Sequence, residues 1–268
     1  MAAKTFILGV GAQKAGTTWL HGYLSSQPSV AAGPFKEYHI WDAVSLPLFS
    51  NFRVAAAQAD LSQRERLRWH MQNDESVYFD FFMKILRAPG KSIAYDITPS
   101  YSALPVAVLQ RIDSGFANRG IDMKAVFIMR DPVERCWSAA RDSHQREQGN
   151  TRASAEYVLA HALSPQSQSR TNYRLTLDNL VGALQPGRRY VGLYEEMHTV
   201  EKIAALSDFC GVASQPEKAA IRANVSRKVD ELDPRVAAAI ARHFRPVYDM
   251  AAADFPQSTQ LWPGFRHL

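Results

Sequence analysis

Along residues 6–24, FILGVGAQKAGTTWLHGYL, an unbroken apolar run gives way to a glycine-containing turn, then to a segment with apolar positions at helical spacing. That order predicts strand, loop, helix. Residues 124–145, KAVFIMRDPVERCWSAARDSHQ, repeat it: Ala125 to Met129 form a buried-strand run, and Asp131-Pro132 marks a helix start with proline at its first position. Between them lie a short segment at 29–34 and two helical stretches within 60–87, broken near Asn73 and Asp74. Residues 91–101, KSIAYDITPSY, read as a short strand ending in a turn at Pro99, with a helix over about 103–114. Helices are expected at 153–163 and 172–184, a strand at 188–194, and further helices at about 195–210 and 233–253.

Strands alternating with helices predict an α/β fold, a P-loop-like parallel β-sheet flanked by helices on both faces. In such sheets ligands gather at the carboxyl ends of the strands. Residues 11–18, 96–101 and 130–138 should therefore surround one crevice.

Composition narrows the picture modestly. The 268 residues suit one domain over 1–268, with two compact domains as the alternative, and 46% hydrophobic and 21% charged residues. A formal charge of +5 suits an anionic ligand but is too mild for nucleic acid, and the basic residues are scattered. Cys136 and Cys210 show no zinc-ligand spacing, so no metal is expected and a reduced compartment is. Without a signal-peptide core or an apolar run of membrane-spanning length, a cytoplasmic location is the expectation.

The first loop carries the chemistry. Gly11 and Gly16 stand in P-loop register, yet Thr17 occupies the position of the nucleotide-gripping lysine, and the lysine comes three residues early as Lys14. The glycines permit close backbone approach, the following helix aims its first N–H groups at an anion, and Thr17, Thr18 and Lys14 add donors and charge. The plainer alternative is a strand–helix turn with a solvated lysine. In the second unit, Arg130 closes the strand and Ser138 follows eight residues later. A guanidinium fork and a helix-borne hydroxyl suit a second phosphate; otherwise Arg130 pairs with Asp131 or Glu134.

Lys14-Ala15-Gly16-Thr17-Thr18 resembles the 5′-phosphosulfate loop of sulfotransferases that use 3′-phosphoadenosine 5′-phosphosulfate (PAPS), where a lysine precedes Gly-Thr-Thr or Gly-Thr-Ser. The resemblance runs from residue 5 to about 265. It implies that Lys14, Ala15, Gly16, Thr17, Thr18 and Trp19 bind the donor, with Lys14 neutralising the leaving oxygen. It also gives Arg130 and Ser138 to the 3′-phosphate, with Arg227 and Lys228 of NVSRKV completing that site. The product would be 3′-phosphoadenosine 5′-phosphate. The cluster KEYHIWD at 36–42 is similar to one in the heparan-sulfate-type and bacterial branch. By that match Glu37 is the general base, with Lys36 or His39 assisting. Other branches use histidine, so His39 stays a rival base. Residues 96–101, DITPSY, depart from the branch's Glu-Lys-[Ser/Thr]-Pro-x-Tyr turn by placing Ile97 where its lysine stands; Asp96 and Thr98 remain pocket candidates.

Sulfuryl transfer to a hydroxyl or amine is thus the leading expectation. A P-loop kinase or NTPase lacks its GK[ST] here, and a non-catalytic nucleotide-binding module would leave an acid at position 37 without a chemical reason. Trp41, Phe49, Phe52, Trp69, Tyr78, Phe79, Phe81 and Phe82 suit either an apolar small-molecule acceptor or helix packing. Arg141, Arg146 and Arg152 suit an acidic or saccharide acceptor instead. The terminal QSTQLWPGF closes over either the core or the pocket.

Overall fold

The computed structural model describes residues 4–55, 61–149, 151–220 and 231–268. Five strands, β1 (Lys4–Gly11), β2 (Val30–Ala31), β3 (Ile93–Ile97), β4 (Ile121–Met129) and β5 (Arg189–Leu193), form one parallel sheet in the order β2-β3-β1-β4-β5. Central β1 is in register with both neighbours, Ile7 opposite Tyr95 of β3 and Lys124 of β4. Phe6, Ile7 and Leu8 are fully buried, as continuous apolar runs must be when helices cover a parallel sheet. Phe6 stacks on Phe116 at 4.0 Å and meets Phe82 edge-on at 4.6 Å. The expected α/β architecture is the one observed.

Local chemistry explains most helix boundaries. Helix Pro132–Gln148 begins where Asp131 accepts hydrogen bonds from the Val133 and Glu134 N–H groups, with Pro132 at the first position. Ser62 and Asp74 cap the two helices Gln63–Asn73 and Glu75–Ile85. Several expectations shift, among them the helix expected at about 195–210, which runs Val200–Cys210 with Thr199 as its cap. The helix expected at 103–114 runs Val106–Ala117, because a 3₁₀ turn, Pro99–Ala103, follows β3 first. The stretch 233–253 is two helices, Pro234–His243 and Arg245–Asp254, since Pro246 has no N–H to continue the ladder. A short helix, Pro165–Thr171, capped by Ser164, lies between the two expected at 153–163 and 172–184.

The segment near the C-terminus belongs to the core. Trp262 is 1% exposed, and its Nε1–H donates to Glu195. The Gly264 N–H donates to Asp131 at 2.5 Å. Among the described residues, no helix is long and apolar enough to cross a membrane.

Candidate active site

Strand order places β1 between β3 and β4, so the chain leaves β1 at the switch point of the sheet, where a crevice forms. A cavity of about 470 Å³ opens there. Segments following all five strands reach it: the 13–18 loop after β1, Glu37 and His39 after β2, Ser100 after β3, Arg130 and Ser138 after β4, Tyr194 after β5.

The 13–18 loop is shaped by glycine. Gly16 caps helix Thr17–Ser25 in the left-handed region (φ 83°), and a Cβ there would lie 2.5 Å from Met197 Sδ. Among the described residues no side chain caps this helix and no acidic residue sits in its first turn, whereas Ser, Asp, Asn or Thr side chains cap eight others. Its first N–H groups are left to the cavity. Lys14, itself at φ 65°, faces Asp142 at 3.6 Å. Burial lowers the Lys14 ammonium pKa, and Asp142 offsets only part of that.

Arg130 joins the two sequence motifs physically. Its Nη1 donates to the Lys14 carbonyl at 2.8 Å, and its guanidinium lies 4.7 Å over the Tyr194 ring. The pairing with Glu134 anticipated as an alternative is also made, at 3.4 Å. Ser138, 6% exposed, lines the same cavity.

Opposite stands the 36–42 cluster. Glu37 lies 3.2 Å from Lys36 Nζ and 3.3 Å from His39 Nε2. The other ring nitrogen, Nδ1, is 2.7 Å from Asp42, whose carboxylate also accepts from the Ser100 hydroxyl. Phe52 stacks on the imidazole at 3.7 Å. Burial would raise the Glu37 pKa, but His39 and Lys36 outweigh it and hold the carboxyl below its ordinary value. Burial would lower the His39 pKa; Asp42 and Glu37 outweigh it and raise the imidazole.

Asp96 and Thr98 are fully buried and act as supports of the wall. Asp96 accepts from Thr98 at 2.6 Å, Tyr101 at 2.9 Å and Tyr78 at 3.0 Å. Burial, against these donors, pushes its pKa up to about 6. Thr98 Oγ1 in turn accepts from the Tyr38 N–H at 2.9 Å, and the Tyr101 hydroxyl from the Ile40 N–H at 3.2 Å. The backbone on both sides of His39 is thereby held, with His39 at φ 54°.

Lys14, Gly16, Thr17, Thr18, Lys36, Glu37, His39, Arg130 and Ser138 thus meet at one cavity. Ala15 is buried behind the loop. Trp19 is 4% exposed, stacked on Tyr23 at 4.9 Å and bonded to the Lys218 carbonyl, outside the cavity lining. Arg227 and Lys228 lie outside the described residues. Of the aromatic set, Phe52 lines the cavity, while Trp41, Phe49, Tyr78, Phe79 and Phe82 are buried. Arg146 reaches the rim, but Arg141 and Arg152 line a separate hollow beside Trp137. The sequence reading missed Asp42, Asp142 and Arg170; only Asp42 carried a local signal, three residues from His39.

The crevice of this α/β fold is lined by a glycine-shaped loop at a helix N-terminus and by a carboxylate–imidazole pair. The chain shares its fold with a sulfotransferase from Alicyclobacillus acidocaldarius (TM-score 0.62, 21% identity), over 94% of this chain and 96% of that one. It is also similar to a sulfotransferase from Mycobacterium avium (TM-score 0.53, 12% identity), over 94% of this chain and 76% of that one. No family model matches the sequence, and no curated protein matches it.

Proposed function

We propose that the protein transfers a sulfuryl group from PAPS to a hydroxyl or amine acceptor by in-line displacement. The observation that carries this reading is the meeting of Lys14, Arg130, Ser138 and Glu37 at one cavity, beside a helix N-terminus no side chain caps. PAPS, when bound, supplies the sulfuryl group, and 3′-phosphoadenosine 5′-phosphate is what remains of it.

The residues present fit such a donor. Gly16 lets the backbone approach closely, and the N–H groups and hydroxyls of Thr17 and Thr18 would hold the 5′-phosphosulfate. Arg130 and Ser138 would hold the 3′-phosphate. Lys14 brings positive charge into a partly desolvated loop, where it stabilises developing negative charge more than it would in water.

At the other end, Glu37 accepts the acceptor's proton. Its depressed pKa keeps it ionised at neutral pH, and His39 and Lys36 fix its two oxygens. Asp42 holds the His39 ring and compensates its positive charge. A positioned base opposite a charged loop is the arrangement in-line attack requires.

Calorimetry tests the reading. The protein should bind 3′-phosphoadenosine 5′-phosphate without magnesium and ATP much more weakly. Equal affinity for both nucleotides, or a strict metal requirement, would sink it.

A further inference from the structure

Two guanidiniums at or next to this cavity form no ion pair among the described residues. Arg135, on helix Pro132–Gln148, is completely buried. Its partners are neutral: Ser167 Oγ at 2.5 Å, Cys136 Sγ at 3.0 Å and Gln13 Oε1 at 3.4 Å. Arg170, on helix Pro165–Thr171, lines the cavity and lies 4.9 Å over the Phe49 ring. The Nε of each is buried without a hydrogen-bond partner. Among the described residues, neither makes an ion pair, whereas the other cavity cations do: Lys14 and Arg146 with Asp142, Lys36 with Glu37, Arg130 with Glu134.

Such a placement is costly in an unliganded protein. A desolvated charge left uncompensated is strongly destabilising, and two like charges side by side add to that. Burial, reinforced first by Arg135, pushes the Arg170 guanidinium down to about 10, so it stays charged at neutral pH. Glu37 and Asp42 are near enough to offset part of this. Both are already engaged, however, Glu37 by Lys36 and His39, Asp42 by His39 and Ser100.

Position shows which ligand the charge addresses. From Arg170 a run of ring contacts leads to the base: Phe49, buried behind the wall, then Phe52 at 6.5 Å, then His39 at 3.7 Å, then Glu37. Arg170 and Glu37 therefore line the same cavity, with the Phe52 and His39 rings in the wall between them. We propose that Arg170, backed by Arg135, is an anion subsite of the acceptor pocket. The acceptor class is then a hydroxyl or amine compound that also carries a carboxylate, sulfate or phosphate across an apolar body. The inference rests on the sulfuryl-transfer reading for the reacting group, but the subsite is defined by the guanidinium itself.

Matched probes separate the two ideas. 4-Hydroxyphenylacetate and its neutral amide are titrated into the full-length protein, with and without saturating 3′-phosphoadenosine 5′-phosphate. Wild type should bind the carboxylate about 10- to 100-fold more tightly than the amide, the effect of one charge-assisted contact. Arg170→Met and Arg170→Gln should each erase that preference while leaving nucleotide affinity near wild type and the melting temperature of the unliganded protein at or above wild type. Equal binding of the two probes, no saturable binding of the carboxylate, or a preference that survives both substitutions would overturn the subsite. Weakened nucleotide binding in the Arg170 variants would overturn it too, placing the guanidinium on the donor. Failure of the nucleotide to bind wild type would instead strike the sulfotransferase reading, with the anion preference still read from the nucleotide-free titration.

Discussion

The Glu37 carboxylate and the His39 imidazole face each other at 3.3 Å, and the far nitrogen of the same ring rests on buried Asp42 at 2.7 Å. The base candidate is therefore the exposed end of a carboxylate–imidazole–carboxylate line anchored in the core. Glu37→Gln keeps the side-chain size but removes its ability to take a proton. Turnover with a competent acceptor should fall by roughly 10²–10⁴-fold, the usual span for general base catalysis. Affinity for 3′-phosphoadenosine 5′-phosphate should barely change. Near-wild-type turnover in Glu37→Gln together with a dead His39→Asn would move the base to the histidine.

The same pair makes stability depend on pH. The Glu37 pKa is depressed below 4.5, so its contribution is present above that pH and is lost as pH falls through the folded value. The His39 pKa is raised above 6.5, so its contribution is full below that pH and is lost as pH rises through the folded value. The melting-temperature advantage of wild type over His39→Gln should therefore be largest between about pH 4.5 and 6.5 and shrink in alkali. An advantage that stays constant to pH 9 would assign His39 a packing role against Phe52 alone.

For the second phosphate, Ser138→Ala is the cleaner probe, because Arg130 also bonds the Lys14 carbonyl. Each of Ser138→Ala and Arg130→Ala should weaken 3′-phosphoadenosine 5′-phosphate more than adenosine 5′-phosphosulfate, which lacks the 3′-phosphate. For Arg130 the difference should be on the order of 1.5–3 kcal/mol. Equal losses for both nucleotides in titration would assign the two residues to the scaffold.

Thr98 tests how the base is held. Thr98→Val preserves shape but strips the Tyr38 N–H of its acceptor and Asp96 of a donor. Leaving buried groups unpaired costs about 1–3 kcal/mol, read as a lower melting temperature. Turnover should fall while nucleotide affinity holds, since the loop beside His39 is loosened and the 13–18 loop is untouched. A stability loss with unchanged turnover would separate the Thr98 network from the base.

What the sequence determined by itself is what depends on near neighbours. Buried strands announce themselves as apolar runs, so β1 and β4 were legible, as was the loop whose glycines and threonines are contiguous. Arg130 and Ser138 stand only eight residues apart across one helix start, so both are tied to the same strand end. Asp131-Pro132 and Ser164-Pro165 are helix starts of the same kind, though only the first was read as one. Other features were decided by tertiary structure. Which strand lies beside which is set by burial summed over the whole sheet, and β3 beside β1 is what brings Thr98 and Ser100 under the His39 loop. The aromatic residues between 41 and 82 have the same composition whether they pack or bind; only the docking of Phe82 on Phe6 and the exposure of Phe52 to the cavity separates them. Nothing in the sequence around Arg170 marks it out. Its meaning comes from desolvation and from the lack of an ion-pair partner among the described residues, and both are properties of the surroundings that a chain acquires only on folding.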